Sequence, residues 1–292
     1  MASMSRIPEL LAQGPTLSFE FSAPRDPEGE RRLNRTLERL AALEPSFMSV
    51  TYGPGGTTRG PTEAVVSHIQ HDLGVCAMPH LTCVSHTRDE IAAILQRYRA
   101  DGIENLLALH GDLPEGAEDA RPGEFRRAID LVAFVREQAG FAVGVAAHPE
   151  GHPRAATLEE DRDHQAAKLA TADFAITQFF FRVEPYEQFV EELARRGVQT
   201  PVIPGVMPPT NADGIARMAA MNNTEFPAEL RRRLDAAGDD VNARRRIAVE
   251  VASDLGERLL KAGAPGLHLY TLNFSQAALE VVRALGLGPP AG

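Results

Sequence analysis

Eight short β-type runs, most followed by a segment of helical period, constrain this chain more than any other feature. They are Leu17–Phe21, Phe47–Gly53, Met78–Cys83, Asn105–Gly111, Phe141–Pro149, Phe174–Phe181, Pro201–Met207 and Gly266–Asn273. Eight β-then-α units predict an α/β fold of the (β/α)8 TIM-barrel type, with an open doubly wound sheet as the alternative. The helical period is clear in TRDEIAAILQRYRADG, where Ile91, Ile94, Leu95 and Tyr98 fall at i, i+3, i+4 and i+7. Thr87 and Glu90 form a capping box at its start, and Gly102 stands just past its end. A second helix is expected from Glu184-Pro185, burying Tyr186, Phe189, Val190 and Leu193, and Ser275 is the expected cap of the last one, ending near Gly286. The stretch from Pro208 to Pro265 has room for two or three extra helices between the seventh and eighth strands. No proline- or glycine-rich linker divides the chain, so residues 1–292 are expected to form one domain, with 1–15 as an N-terminal extension.

Forty acidic against 30 basic residues give a net charge of −10, which argues against a nucleic-acid partner. Two arginine runs, Arg231–Arg233 and Arg244–Arg246, lie among acidic residues in helical sequence and are expected to be solvated helix faces. No apolar run approaches the roughly 18 residues that cross a bilayer, and the first residues carry no signal-peptide pattern. The expected location is therefore cytoplasmic, and Cys76 and Cys83, which form no Cys-x-x-Cys pair, are expected to be reduced structural thiols.

Polar residues cluster at the strand ends. In Leu17-Ser18-Phe19-Glu20-Phe21 the apolar residues share one parity, which leaves Glu20 on the inward one. Thr51, His80 with Thr82, His110 with Asp112, His148 and Gln178 stand at the ends of other strands, with His110 and Asp112 read as sharing a parity. Each alone is compatible with a hydrogen-bonded core group. Six strand ends together point to a site at the C-terminal face of a barrel. A carboxyl group flanked by phenylalanines is desolvated, which favours the protonated form that a general acid needs.

Other chemistries lack their motifs. There is no His-x-His pair, and His148 and His152 sit in the loop HPEGHP, so no metal site is assigned. The chain has neither a Gly-x-x-x-x-Gly-Lys-Ser/Thr loop nor a Gly-x-Gly-x-x-Gly after a strand, and Gly53-Pro54-Gly55-Gly56 reads as a turn. Only two of the 30 basic residues are lysine, Lys168 and Lys261. A lysine kept on the helix after the fifth strand hints at a phosphate contact.

In order along the chain, Ser18-Phe19-Glu20-Phe21, Ser49-Val50-Thr51-Tyr52-Gly53, Pro79-His80-Leu81-Thr82-Cys83, Gly111-Asp112-Leu113-Pro114, His152-Pro153, Ile176-Thr177-Gln178-Phe179-Phe180-Phe181, Ile203-Pro204-Gly205 and Tyr270-Thr271-Leu272-Asn273 resemble the methylenetetrahydrofolate reductase family. The resemblance runs from about residue 17 to 287. It implies an FAD-containing barrel that reduces 5,10-methylenetetrahydrofolate to 5-methyltetrahydrofolate with NADH or NADPH, in cytoplasmic one-carbon metabolism feeding methionine synthesis. By the same resemblance Glu20 matches the general acid and Asp112 the residue beside flavin and pterin. Gln178 matches a folate contact. Thr51, Tyr52, His80, Gly111, His152, Asp161, His164 and Lys168 match flavin contacts. His110 and His148 line the cleft on the bottom-up reading alone.

The sequence departs from the family pattern at several of these places. Ser22-Ala23 replaces Phe-Pro after the first strand, His110 stands where the family has arginine, and His148 where it has tyrosine. Ala167 replaces a residue that is often charged, and Phe274 an arginine that approaches folate. Two alternatives therefore stand beside the flavoenzyme: the same reduction by direct hydride transfer without flavin, and a non-reducing folate-binding, methyl-transferring barrel. Nicotinamide preference and any homo-oligomer are left open.

Overall fold

The computed structural model describes residues 6–53, 58–112, 123–138 and 140–289. Pro54, Gly55 and Gly56 of the turn, and Leu113 and Pro114 of the fourth motif, lie outside them. Eight parallel strands close into a barrel in sequence order: β1 (Thr16–Ser22), β2 (Phe47–Thr51), β3 (Ala77–Thr82), β4 (Asn105–Leu109), β5 (Ala142–Ala147), β6 (Phe174–Phe179), β7 (Val202–Val206) and β8 (Gly266–Tyr270). Closure is set by β1, which pairs with β2 on one side and β8 on the other, placing Glu20 level with Ser49 and Tyr270. The open doubly wound alternative is excluded by that pairing.

Helices follow the strands as α2 (Pro27–Ala41), α3 (Arg59–Ser67), α4 (Arg88–Ala100), α5 (Ala128–Gln138), α6 (Leu158–Leu169), α7 (Glu184–Arg195) and α11 (Ser275–Ala284). A π-helical turn, His68–Asp72, extends α3. The long connection holds three helices, α8 (Ala212–Met221), α9 (Ala228–Ala236) and α10 (Val241–Lys261). The helix α1 (Ile7–Gln13), read only as an extension, has a structural task. Ile7 donates its N–H to Asn105 Oδ1 at 2.8 Å and packs with Phe47, Met78, Phe174 and Ile203, closing the N-terminal end of the barrel.

Strand alternation divides the core in two. Phe19 and Phe21 point out to the helices beside Leu33, Leu37 and Val281, whereas Phe47, Met78, Leu107, Ile176 and Ile203 fill the interior. Gly144 on β5 makes room for an interior neighbour, since a Cβ there would lie 2.3 Å from the Phe174 ring. The Thr87–Glu90 capping box forms, as does the turn at Gly102 with φ +71°. Val190 is 36 % exposed, not buried with Tyr186, Phe189 and Leu193, because it lies at the edge of the α7 stripe. Ser275 is the first residue of α11, and Phe274 holds the cap position without a side-chain bond. Both arginine runs are helix faces: Arg231, Arg232 and Arg233 pair with Asp235, Glu229 and Glu250, and Arg244 and Arg245 with Asp239 and Glu280. Cys76 and Cys83 are buried thiols joined in no disulfide, and burial pushes both up to about 12. No helix among the described residues is long and apolar enough to cross a membrane.

Candidate functional site

Several strands end sooner than their sequence suggests, and this shapes the site. β4 stops at Leu109, so His110 and Asp112 lie beyond it, and the expected shared strand parity does not apply to them. The cause is Gly111, whose φ of +85° turns the chain. That turn packs closely: a Cβ on Gly111 would lie 2.6 Å from Thr82 Cβ. His110 then folds back and donates from Nδ1 to the Gly111 carbonyl at 2.8 Å. β5 likewise stops at Ala147, leaving His148 at the start of a loop.

At the C-terminal face the strand ends enclose three connected lobes. One, of about 370 Å³, has Glu20 on its floor and collects Thr51, Tyr52, His80, Gly111, Asp112 and Gln178. A middle lobe of about 390 Å³ shares Gly111, Asp112 and Gln178 with it and continues to His148, His152 and Lys168. The third, of about 540 Å³, adds Asp161, His164 and Ala167, together with Arg126, Arg127 and Arg154. Every site residue expected from the sequence borders this trough.

The floor around Glu20 is built by four neighbouring strands, β8, β1, β2 and β3. Oε2 of Glu20 is 3.6 Å from His80 Nε2 and 3.7 Å from His268 Nε2. His268 is fully buried, stacked on Phe47 with ring centroids 5.9 Å apart. Its Nδ1 is 2.8 Å from Ser18 Oγ, and its Nε2 is 3.4 Å from Ser49 Oγ. Ser18 Oγ also donates to the Leu267 carbonyl at 3.2 Å. Ser18 and Ser49 thus hold the His268 ring by its two nitrogens. Burial holds His80 down at about 4, outweighing the Glu20 charge that raises it. His80 is therefore a neutral neighbour near pH 7 rather than a counter-ion.

From above, the β8–α11 turn grips the same strand. Thr271 Oγ1 donates to the Glu20 carbonyl at 2.6 Å. Asn273 accepts from Ser22 N–H at 2.9 Å and donates to Ser22 O at 2.8 Å. Leu272 and Asn273 both adopt positive φ, +49° and +61°, a conformation costly for leucine that these bonds hold in place.

Buried polar atoms line the trough without a protein partner: Tyr52 Oη, His80 Nε2, Thr82 Oγ1 and His148 Nδ1. Burial pushes the Tyr52 phenol up to about 12 and His148 down to about 3, with Lys168, His152 and Arg154 adding to the latter shift. Lys168 is half-buried, and desolvation lowers it to about 8 against the opposing pull of Asp161. Asp161 is buried, with Oδ2 engaged by Gln165 Nε2 and 3.6 Å from Arg162. His164 is exposed on the outer lobe. Asp112 is exposed at the trough mouth, 3.8 Å from Arg154. His148 and His152 pack edge to face at 4.7 Å.

Sequence reasoning missed His268, Ser18 as its partner, Gln165, and the arginines of the outer lobe. Alternation in Gly-Leu-His-Leu-Tyr could have found His268, which shares its inward parity with Tyr270. Gln165 carried no signal, since its partner is a loop backbone 17 residues away.

Fold and site together define an enzyme-type (β/α)8 barrel, with an acid at the floor of a trough whose far end is cationic. The Methylenetetrahydrofolate reductase family model matches residues 4–286. The chain is 37 % identical over 274 residues to 5,10-methylenetetrahydrofolate reductase of Escherichia coli (strain K12), covering 94 % of this chain and 91 % of that protein. It is 33 % identical over 302 residues to Methylenetetrahydrofolate reductase (NADH) 1 of Arabidopsis thaliana, covering 98 % of this chain and 51 % of the plant protein. A solved structure of an uncharacterized Clostridium thermocellum protein, described as binding two copies of 5-methyl-5,6,7,8-tetrahydrofolic acid, superposes with a TM-score of 0.68 at 15 % identity, covering 97 % of each chain, a likeness of fold. The chain belongs to the methylenetetrahydrofolate reductase family.

Proposed function

We propose that this protein reduces 5,10-methylenetetrahydrofolate to 5-methyltetrahydrofolate with electrons from NADH or NADPH, with Glu20 as the general acid. The observation that carries the reading is Glu20 itself. Its carboxyl lies on the floor of the trough between two buried imidazoles, 3.6 Å from His80 and 3.7 Å from His268. A general acid has to face the reacting atoms from inside the cleft, and Glu20 does so. Proton transfer from Glu20 to the folate ring nitrogen opens the five-membered ring to an iminium, which accepts hydride at the methylene carbon. Gln178, on the lobe boundary, would hydrogen-bond the pterin, and Asp112 would meet it at the mouth.

The donor set of the outer lobes fits a dinucleotide. Lys168, Arg154, Arg126 and Arg127 supply positive charge for a diphosphate, and the unpartnered Tyr52, Thr82 and His148 atoms supply bonds for polar ring edges. FAD, when bound there, would supply hydride exchange between nicotinamide and folate. Thr51, Tyr52, His80, Gly111, His152, His164 and Lys168 would hold it, and Arg154 would temper the Asp112 charge near it. A second reading keeps the reaction and passes hydride directly from nicotinamide to folate. It is favoured by His110, His148 and Ala167 at matched flavin positions, and a nicotinamide dinucleotide brings the same diphosphate to Lys168.

On this reading the protein acts in one-carbon metabolism in the cytoplasm. The test is NADH and NADPH oxidation with methylenetetrahydrofolate, alongside the visible spectrum before and after adding FAD. A yellow protein that loses turnover when stripped supports the flavoenzyme. Full turnover in a colourless protein, unchanged by FAD, supports direct transfer. Folate binding with no nicotinamide oxidation under either condition overturns the reductase.

A further inference from the structure

His148 begins the β5–α6 loop, where a backbone normally loses its ladder partners. Here the lost rung is replaced by a side chain. Gln165 Oε1 accepts from His148 N–H at 2.7 Å, and Gln165 Nε2 donates to His148 O at 3.0 Å, as a neighbouring strand would. Arg162 adds Nη1 to His148 O at 3.2 Å and Nη2 to Pro149 O at 2.6 Å. Arg162 is itself fixed by Glu192, 2.5 Å from its Nε, and by the Phe189 ring, 4.9 Å from its guanidinium carbon. Arg162 and Gln165 are both at least 95 % buried, so neither is a surface ornament.

The purpose of so many bonds to one backbone position is visible in the side chain it carries. The His148 ring is nine-tenths buried, borders both cationic lobes, and has Nδ1 without a protein partner. An orphaned buried nitrogen costs stability unless a ligand completes it. Asp161, Gln165 and Lys168 lie at i, i+4 and i+7, one stripe of α6. The clamp on His148 and the cation for a diphosphate therefore share one helix face.

We propose, on the reading that the trough binds a dinucleotide, that His148 hydrogen-bonds an uncharged hydroxyl beside the diphosphate and that Gln165 and Arg162 are the positioning residues that fix it there. A ribose hydroxyl of NAD(P)H and a ribityl or ribose hydroxyl of FAD share this chemistry. An imidazole kept neutral by burial and by nearby Lys168 is the right partner for a hydroxyl, since it both donates and accepts. A side chain free to swing would lose part of that bond in ordering itself on binding.

The experiment is calorimetric titration of the full chain with FAD and, separately, NADH, using wild type, His148→Phe, Gln165→Leu and the double variant. Each single substitution should weaken whichever dinucleotide binds by about tenfold, the loss of one buried hydrogen bond. Because Gln165 acts through His148, the double variant should bind no more weakly than His148→Phe alone. If Gln165→Leu does not fold, Gln165→Glu replaces it in the cycle, since it keeps the acceptor for His148 N–H and loses the donor to its carbonyl. Wild-type affinity of His148→Phe for both dinucleotides overturns the contact, and additive losses overturn the positioning role. A wild-type chain that binds neither dinucleotide fails at an earlier step, the dinucleotide reading of the trough.

Discussion

Oε2 of Glu20 lies 3.7 Å from Nε2 of His268, an imidazole with no exposure to solvent. The ring is held from the other side by Ser18 on β1, the strand that carries Glu20, so acid and imidazole are fixed on one frame. The imidazole therefore packs against the acid from the side where the barrel closes and limits where its carboxyl can sit.

Replacing His268 by Asn should lower kcat by about ten- to a hundredfold, the range expected for disturbing one general acid. Steady-state rates from pH 5.5 to 8.5 check this. An unchanged profile with full kcat would remove His268 from the acid's environment.

Glu20→Gln removes the transferable proton and keeps the shape. Folate reduction should fall by at least about a thousandfold, close to the range of a lost general acid. Dinucleotide binding should remain within about twofold, because the substitution keeps the side chain's shape and Glu20 is not among the residues that would hold the dinucleotide. A Gln variant that reduces folate at the wild-type rate would falsify the assignment.

Burial lowers Lys168 to about 8, so the free protein loses this cation within a mildly alkaline range. Affinity for a diphosphate-bearing dinucleotide should therefore weaken as pH rises through about 8. Lys168→Arg, whose guanidinium stays charged, should flatten that dependence, and Lys168→Met should weaken binding at every pH. Titrations at pH 7 and 9 distinguish these outcomes.

His80 and His148 are held at about 4 and about 3, below the ordinary 6.5 that applies to the unfolded chain. Between 6.5 and about 4 the unfolded chain binds more protons than the folded one, so stability falls as pH falls. Once pH is well below 6.5, each histidine contributes a slope of about 1.4 kcal/mol per pH unit. Chemical denaturation at pH 7.5, 6 and 5 measures the slope, and His148→Phe should remove about half of their joint contribution. A midpoint that does not move between pH 7.5 and 5 would contradict it.

Gly111→Ala tests the turn that ends β4. A left-handed φ and a Cβ 2.6 Å from Thr82 together predict destabilisation on the order of 2 kcal/mol, with Asp112 displaced. Thermal melting should show a fall in Tm of several degrees.

The eight β-then-α units pointed to the barrel ahead of an open sheet, and the outward parity of Phe19 and Phe21 aimed Glu20 inward, because alternation is a local property of a strand. The capping box at Thr87 was legible from its own residues, and the two or three helices expected between β7 and β8 are three. Asp112 was legible by resemblance, although its expected strand position was not, since one glycine dihedral ends β4 two residues sooner.

Tertiary structure alone decided the rest. His268 meets Glu20 because barrel closure brings β8 beside β1, joining residues 248 positions apart in the chain. Gln165 meets His148 because α6 folds back over the end of β5. Only that packing removed both imidazoles from water. Sequence patterning specified which way each side chain points; closure of the barrel specified what it meets there.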